Sequence, residues 1–109
     1  MKIENVPYVV SDWSAVAPTE HPGTIGTALW RTVEIGNLRV RTVELSPGYL
    51  ADHWCARGHV VFVLEGEVVS ELSDGTSSVL RPGMGYIVSD DTAPHRSSTV
   101  NGAKMFIVD

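Results

Sequence analysis

The stretch Gly48-Tyr49-Leu50-Ala51-Asp52-His53-Trp54-Cys55-Ala56-Arg57-Gly58-His59-Val60-Val61-Phe62-Val63-Leu64-Glu65-Gly66 holds the fold signal and most of the chemistry of this 109-residue chain. Its second half, Val60 to Leu64, is apolar at every position. Neighbouring strand residues point to opposite faces, so such a run suits a central strand, one face lining an interior and the other packing on a second layer. Its first half places His53, Cys55 and His59 at positions of the same parity, which in extended chain puts all three on one side. Gly58 is the position at which a bulge would shift that parity.

Outward from this stretch, turn signals recur at Gly36-Asn37, Pro47-Gly48, Glu65-Gly66, Asp74-Gly75, Pro82-Gly83 and Asn101-Gly102. Glycine and asparagine supply positive φ, proline presets φ, and Asp-Gly is a strong tight-hairpin signal. The segments between are short and rich in Val, Ile, Thr and aromatics, which predicts strands near 28–35, 38–45, 59–64, 67–72, 76–80, 84–88, 94–99 and 103–108. No long window keeps a 3.6-residue period without a turn signal, so no long helix is expected. Residues 11–27, with Pro18, Pro22, Gly23 and Gly26, read as an irregular arm that Trp13 pins onto the rest. The expected organisation is an N-terminal arm over 1–27 and one all-β barrel over 28–109, and many short strands with Gly/Pro turns point to a sandwich or barrel.

Composition narrows the function. Hydrophobic residues at 43 % and charged residues at 19 % fit a globular chain. No apolar run approaches the ~20 residues of a membrane span, and Met1 to Val10 lacks a signal-peptide core, so a cytoplasmic protein without membrane contact is expected. The net charge is −5 and the eight Lys and Arg residues are scattered. Nucleic-acid binding needs clustered basic groups, so it is not expected, and Arg39 and Arg41 read as a solvated face. The single cysteine, Cys55, forms no intrachain disulfide, which suits a reducing compartment. It reads as a metal ligand, a reactive thiol or a small core residue.

His53, His59 and His95 are the candidate metal ligands, with Cys55 as a further donor. Pro94-His95 opens a late strand that a barrel can bring beside the first motif. Neutral imidazoles suit Zn, Fe, Ni and Cu, and three of them leave open coordination positions, whereas an added thiolate favours Zn. The alternative is a set of separate histidines, each hydrogen-bonded or at the surface. Tyr49, Trp54, Tyr86 and Arg96 are candidate pocket residues, with Arg57 also flanking the site. Aromatics on strands more often pack in a core, and arginines more often lie at the surface. His21 suits a surface or interface role, Asp90-Asp91 a turn, and Glu65, Glu67 and Glu71 a solvated hairpin.

At these residues the chain resembles the cupins. Their first motif runs from a Gly through a His-x-His pair and a third ligand, usually Glu, to a second Gly, and their second motif has Pro-Gly and a later His. Counted back from Gly66, His59 takes the Glu position, Cys55 the second His and His53 the first; Pro82-Gly83 and His95 match the second motif. Four residues separate Gly48 from His53 where five are usual, and Thr99 stands at the late Asn position. The chain is similar over nearly its whole length to the small DHCW-motif cupin-fold proteins. The match is carried by Trp13-Ser14, Pro18-Thr19-Glu20-His21, Trp30-Arg31-Thr32, Ser46-Pro47-Gly48-Tyr49, Asp52-His53-Trp54-Cys55, Pro94-His95-Arg96-Ser97-Ser98-Thr99 and Phe106-Ile107-Val108-Asp109. The resemblance implies a single-domain double-stranded β-helix paired as a homodimer, and one divalent transition metal per chain, Zn, Fe, Ni or Mn. It implies no specific reaction. Three functions follow: a metal-dependent enzyme, dioxygenase-like or isomerase/lyase-like, on a small polar molecule; a non-catalytic small-molecule-binding cupin; or a structural domain stabilised by metal.

Overall fold

The computed structural model describes residues 2–109. A short 3-10 turn (Trp13–Ala15) precedes nine strands: β1 (Thr19–Pro22), β2 (Thr27–Ile35), β3 (Leu38–Leu45), β4 (His59–Gly66), β5 (Val68–Leu72), β6 (Ser77–Leu80), β7 (Gly85–Val88), β8 (His95–Ser98) and β9 (Ala103–Val108). They form two antiparallel sheets, one of six strands in the order β1-β2-β3-β9-β4-β7 and one of three in the order β6-β5-β8. The order inserts β9, distant in sequence, between the consecutive strands β3 and β4, the crossover pattern of a jelly-roll barrel.

Alternation decides what lies inside. Val43 and Leu45 of β3, Val61 and Val63 of β4, and Met105 and Ile107 of β9 meet Val68 and Leu80 of the small sheet in one core. Val63 and Val68 are fully enclosed, and burying each contributes about 1.5–3 kcal/mol. Gly66 has positive φ, and a Cβ there would run into the Gly102 carbonyl, so only glycine closes the β4–β5 turn against the β8–β9 turn. Leu64 is the extra residue of a bulge against β9, where the register steps from Val63 to Glu65.

All eight strands expected from the sequence are present, with ends displaced by two residues at most. β1 lies inside the expected irregular arm. It is a four-residue edge strand paired only with β2, and an edge is where Pro22 is tolerated. Trp13 anchors the preceding chain by donating Nε1–H to the Val40 carbonyl at 3.0 Å and packing edge-on against Phe106. β4 is central, between β9 and β7, but its outer face is not covered by a second layer: Val60, Phe62, Leu64 and neighbouring Ile87 are exposed. Among the described residues, no helix is long and apolar enough to cross a membrane.

Candidate metal centre

Three elements bring donors to one point in the barrel. β4 begins with His59, whose parity with buried Val61 and Val63 turns it inward. β8 begins with His95, which is buried. Cys55 lies on no named strand, but it pairs with His95 as an isolated antiparallel bridge, exchanging both backbone hydrogen bonds at 2.7 and 2.9 Å. Directly paired residues present their side chains on the same face, so Cys55 and His95 point together. One donor atom from each of Cys55, His59 and His95 lies within 4.8 Å of the others.

The hydrogen bonds define the imidazole tautomers. His95 Nδ1–H donates to the Ala93 carbonyl at 2.8 Å. His59 Nδ1–H donates to Asp109 Oδ2 at 3.4 Å. Both acceptors lack a proton to give, so both Nδ1 atoms carry one, and in the neutral rings both Nε2 atoms are lone-pair donors. These two Nε2 atoms face each other at 2.8 Å. Two lone pairs at that distance repel unless a proton or a metal cation lies between them. Burial, together with the charges of His95 and Arg41, lowers the proton affinity of His59 despite the opposing hydrogen bond and charge of Asp109. Tyr86 O–H, held protonated by burial, lies 3.2 Å from His59 Nε2.

This donor set fits a divalent transition metal. Its outer nitrogens are tied to a carbonyl and a carboxylate, the arrangement that orients metal-bound histidines. Tetrahedral zinc separates two imidazole nitrogens by about 3.3–3.4 Å, so a metal needs the pair opened by roughly half an ångström.

His53 sits apart from the other three. Bridges at Leu50–Ser98 and Cys55–His95 enclose five steps of chain on one side and three on the other. The two surplus residues loop outward and bend the chain at Asp52 and His53, which breaks the parity expected for an extended segment. The His53 side chain is 74 % exposed, with Nδ1 2.6 Å from Asp52 Oδ1, and it borders the cavity mouth. Trp54 is also exposed, its ring under the Arg96 guanidinium at 4.5 Å, and Arg96 pairs with Glu71 at 2.8 Å. Glu71 is thus an ion-pair partner and not a free hairpin charge. Tyr49, Tyr86 and Arg96 line the cavity with the donor residues. Asp90 accepts a hydrogen bond from Gly58 N–H at 2.6 Å.

The cavity measures about 310 Å³, and the large sheet supplies its apolar wall through Ala28, Val43, Leu45, Met105 and Ile107. A wider open groove of about 570 Å³, bordered by Glu20, Glu44, Glu65 and Lys104, contains none of the donors.

The largest departure from the sequence reading is at Arg39 and Arg41. They are not a solvated face: both line the cavity, and Arg41 is buried. They share parity with Val43 and Leu45 on β3, and Asp109 shares parity with Met105 and Ile107 along β9. Arg39 and Asp109 exchange backbone hydrogen bonds, and their side chains form a fork at 2.8 and 2.9 Å. Asp109 was not among the candidate residues, although this alternation marks it as inward-facing. Burial raises its proton affinity, but Arg39, Arg41 and His59 outweigh burial and hold the carboxyl below its ordinary range.

No family model matches the sequence, and no curated protein matches it. Solved structures do match. HppE with Fe(II) and substrate is 16 % identical over 94 % of this chain and 60 % of its own, with a TM-score of 0.76. Ectoine synthase from P. lautus is 17 % identical over 93 % of this chain and 76 % of its own, with a TM-score of 0.74. An RmlC-like cupin from Shewanella frigidimarina is 18 % identical over 95 % of this chain and 91 % of its own, with a TM-score of 0.72. This chain spans less than two-thirds of the length of HppE. At these identities the likeness is one of fold: the chain is a cupin-type jelly-roll barrel.

Proposed function

We propose that the barrel holds one divalent transition metal on Cys55, His59 and His95, with His53 swinging in from the loop as a further donor, and that a small polar molecule is bound and transformed beside it. The observation that carries this reading is the facing pair of imidazole Nε2 atoms at 2.8 Å, both outer nitrogens being committed to acceptors. Bound there, a divalent metal supplies Lewis acidity and, where redox-active, electron transfer to a co-substrate. The protein's own contribution is to fix both rings through Ala93 and Asp109, to present the Tyr86 hydroxyl, and to wall the site with apolar side chains.

Two fold neighbours support the enzyme reading over a purely structural metal. HppE binds Fe(II) and a substrate, and ectoine synthase is a named enzyme. The cavity beside the donors leaves room for a ligand, which a closed structural site does not need. The uncovered apolar face of Val60, Phe62, Leu64 and Ile87 supports a homodimer formed across β4 and β7.

The test is metal content per chain by elemental mass spectrometry on protein purified without chelators, alongside His59→Ala and His95→Ala. Close to one Fe, Ni, Mn or Zn per chain, lost in both variants, is expected. Absence of metal even after reconstitution overturns the proposal.

A further inference from the structure

Arg41 is a buried cation with most of its hydrogen-bonding capacity unused. Its side chain is 6 % exposed. Nη2 reaches Asp109 Oδ2 at 3.3 Å, while Nε and Nη1 have no hydrogen-bond partner among the described residues. Buried guanidinium N–H groups without acceptors are costly, so such an arrangement is retained where something else accepts from them.

The guanidinium is also held in place. Trp30 stands on β2 between β1 and β3, with its ring stacked on His21 at 3.7 Å and the Arg41 guanidinium lying over it at 4.0 Å. A face covered by an indole leaves the in-plane N–H groups as the reactive part of the cation.

Charge within the cavity runs opposite to charge over the chain. The chain carries −5, yet four of its eight Lys and Arg residues, Arg39, Arg41, Arg57 and Arg96, line this cavity. Arg39, Arg41 and Arg57 all lean on the single carboxylate of Asp109, at 2.8, 3.3 and 3.7 Å. One anion among three cations leaves positive charge uncompensated, and a bound metal adds more. The same Asp109 oxygen touches both Arg41 and His59, so the cation and the donor set share one chamber.

We propose that the ligand of this barrel is a small organic carboxylate, its carboxylate received by the free N–H groups of Arg41 and its other end directed toward Cys55, His59 and His95. The apolar wall favours an anion with a hydrocarbon body over inorganic phosphate, and a cavity of about 310 Å³ restricts that body to a compact molecule. The proposal rests on the metal-site reading only for the reactive end; the anion pocket is a property of the polypeptide alone.

The experiment uses the full chain in metal-free and Zn(II)-reconstituted forms. Calorimetry and thermal shift are run with malonate, succinate and 2-oxoglutarate, with inorganic phosphate and the uncharged malonamide as controls. At least one carboxylate is expected to bind the metal-free protein and raise its Tm, while malonamide does not bind. Binding is expected to fall at least ten-fold in Arg41→Met, with metal content unchanged. The Arg41 Nε–H resonance of the unmodified protein is expected to shift on titration, a readout that needs no variant. If Arg41→Met does not fold, Arg41→Lys replaces it and is expected to bind several-fold more weakly. Binding of phosphate alone, equal affinity in the variants, an unmoved Arg41 resonance or no binding by any carboxylate overturns the proposal. Failure of the metal reading gives a different pattern: no metal in any form, with carboxylate binding to the metal-free protein intact.

Discussion

His59 and His95 approach each other through the two nitrogens that are free to bind a cation, Nε2 to Nε2 at 2.8 Å. The contact follows from the strand ends: both residues open a strand, β4 in one sheet and β8 in the other, so the site sits where the two sheets come together. The backbone places the rings, and the Ala93 carbonyl and Asp109 carboxylate set their tautomers.

Asp109 is therefore expected to act on stability and, in the proposed site, on metal affinity. Its side chain is 1 % exposed and faces Arg39, Arg41 and His59. Asp109→Ala leaves buried guanidinium groups without their counter-ion and is expected to cost about 3–5 kcal/mol, read as a lower urea midpoint. Asp109→Asn keeps the shape and removes the charge that orients His59. It is expected to weaken zinc binding by about 10–100-fold in a competition titration while leaving a folded protein. Unchanged affinity in Asp109→Asn would mean that His59 needs no carboxylate partner.

Cys55 is placed to contribute a thiolate, since its bridge to His95 fixes its direction. Cobalt(II) reconstitution of the unmodified protein is expected to show a sulfur-to-metal charge-transfer band that Cys55→Ser abolishes. Weaker metal retention is expected in Cys55→Ser, and stronger loss in His59→Ala. An identical cobalt spectrum in Cys55→Ser excludes the thiolate as a ligand.

His21 reports on the charge of Arg41 without touching the metal donors. Burial lowers its proton affinity first, and the charges of Arg41 and Arg39 add to this, with Glu34 and Thr19 bordering the same recess. Between its lowered native value and about 6.5 the unfolded chain then binds more protons than the native one, so this group subtracts stability as pH falls through that window and has no effect above it. By NMR the His21 imidazole is expected to titrate below 6.5, and Arg41→Met to move it upward. A His21 titration that Arg41→Met leaves unmoved argues against a charged Arg41 beside Trp30.

The legible and illegible parts of the sequence separate by mechanism. The strands were readable because Gly/Pro turns and alternation act locally, and eight of the nine follow from them. β1 was hidden because four residues ending in Pro22 carry little pattern without their partner β2. Parity predicts His53 beside Cys55, and two surplus residues in its own segment, counted against the shorter β8 that it faces, undo that. Charge alone suggests a solvated face for Arg39 and Arg41, whereas their alternation with Val43 and Leu45 marks them as inward-facing. That pattern also points to Asp109, because a buried cation requires a facing anion.

Gly58 tests whether the site depends on the approach of the loop before β4. A Cβ at this position would lie 2.6 Å from the Asp90 nitrogen and 2.9 Å from the Ser89 carbonyl carbon. Both are backbone atoms, so relief requires moving the chain rather than a flexible side chain. The Gly58 N–H also donates to Asp90 Oδ1 at 2.6 Å, and Asp91 N–H donates to the Ala56 carbonyl, which clamps this loop to the turn after β7. The next residue is His59, so a displacement here moves one donor relative to Cys55 and His95. Gly58→Ala is expected to cost about 1–3 kcal/mol through this overpacking, and to lower metal affinity more than a core substitution of equal cost. Val63→Ala provides that comparison, since Val63 is fully buried in β4 and belongs to the core rather than the donor set. Urea midpoints place the two variants on one stability scale, and zinc competition titrations measure the second effect. If both lose metal affinity in proportion to stability, the donor geometry is set by the barrel as a whole. If Gly58→Ala loses disproportionately more, the clamp between Gly58 and Asp90 positions His59.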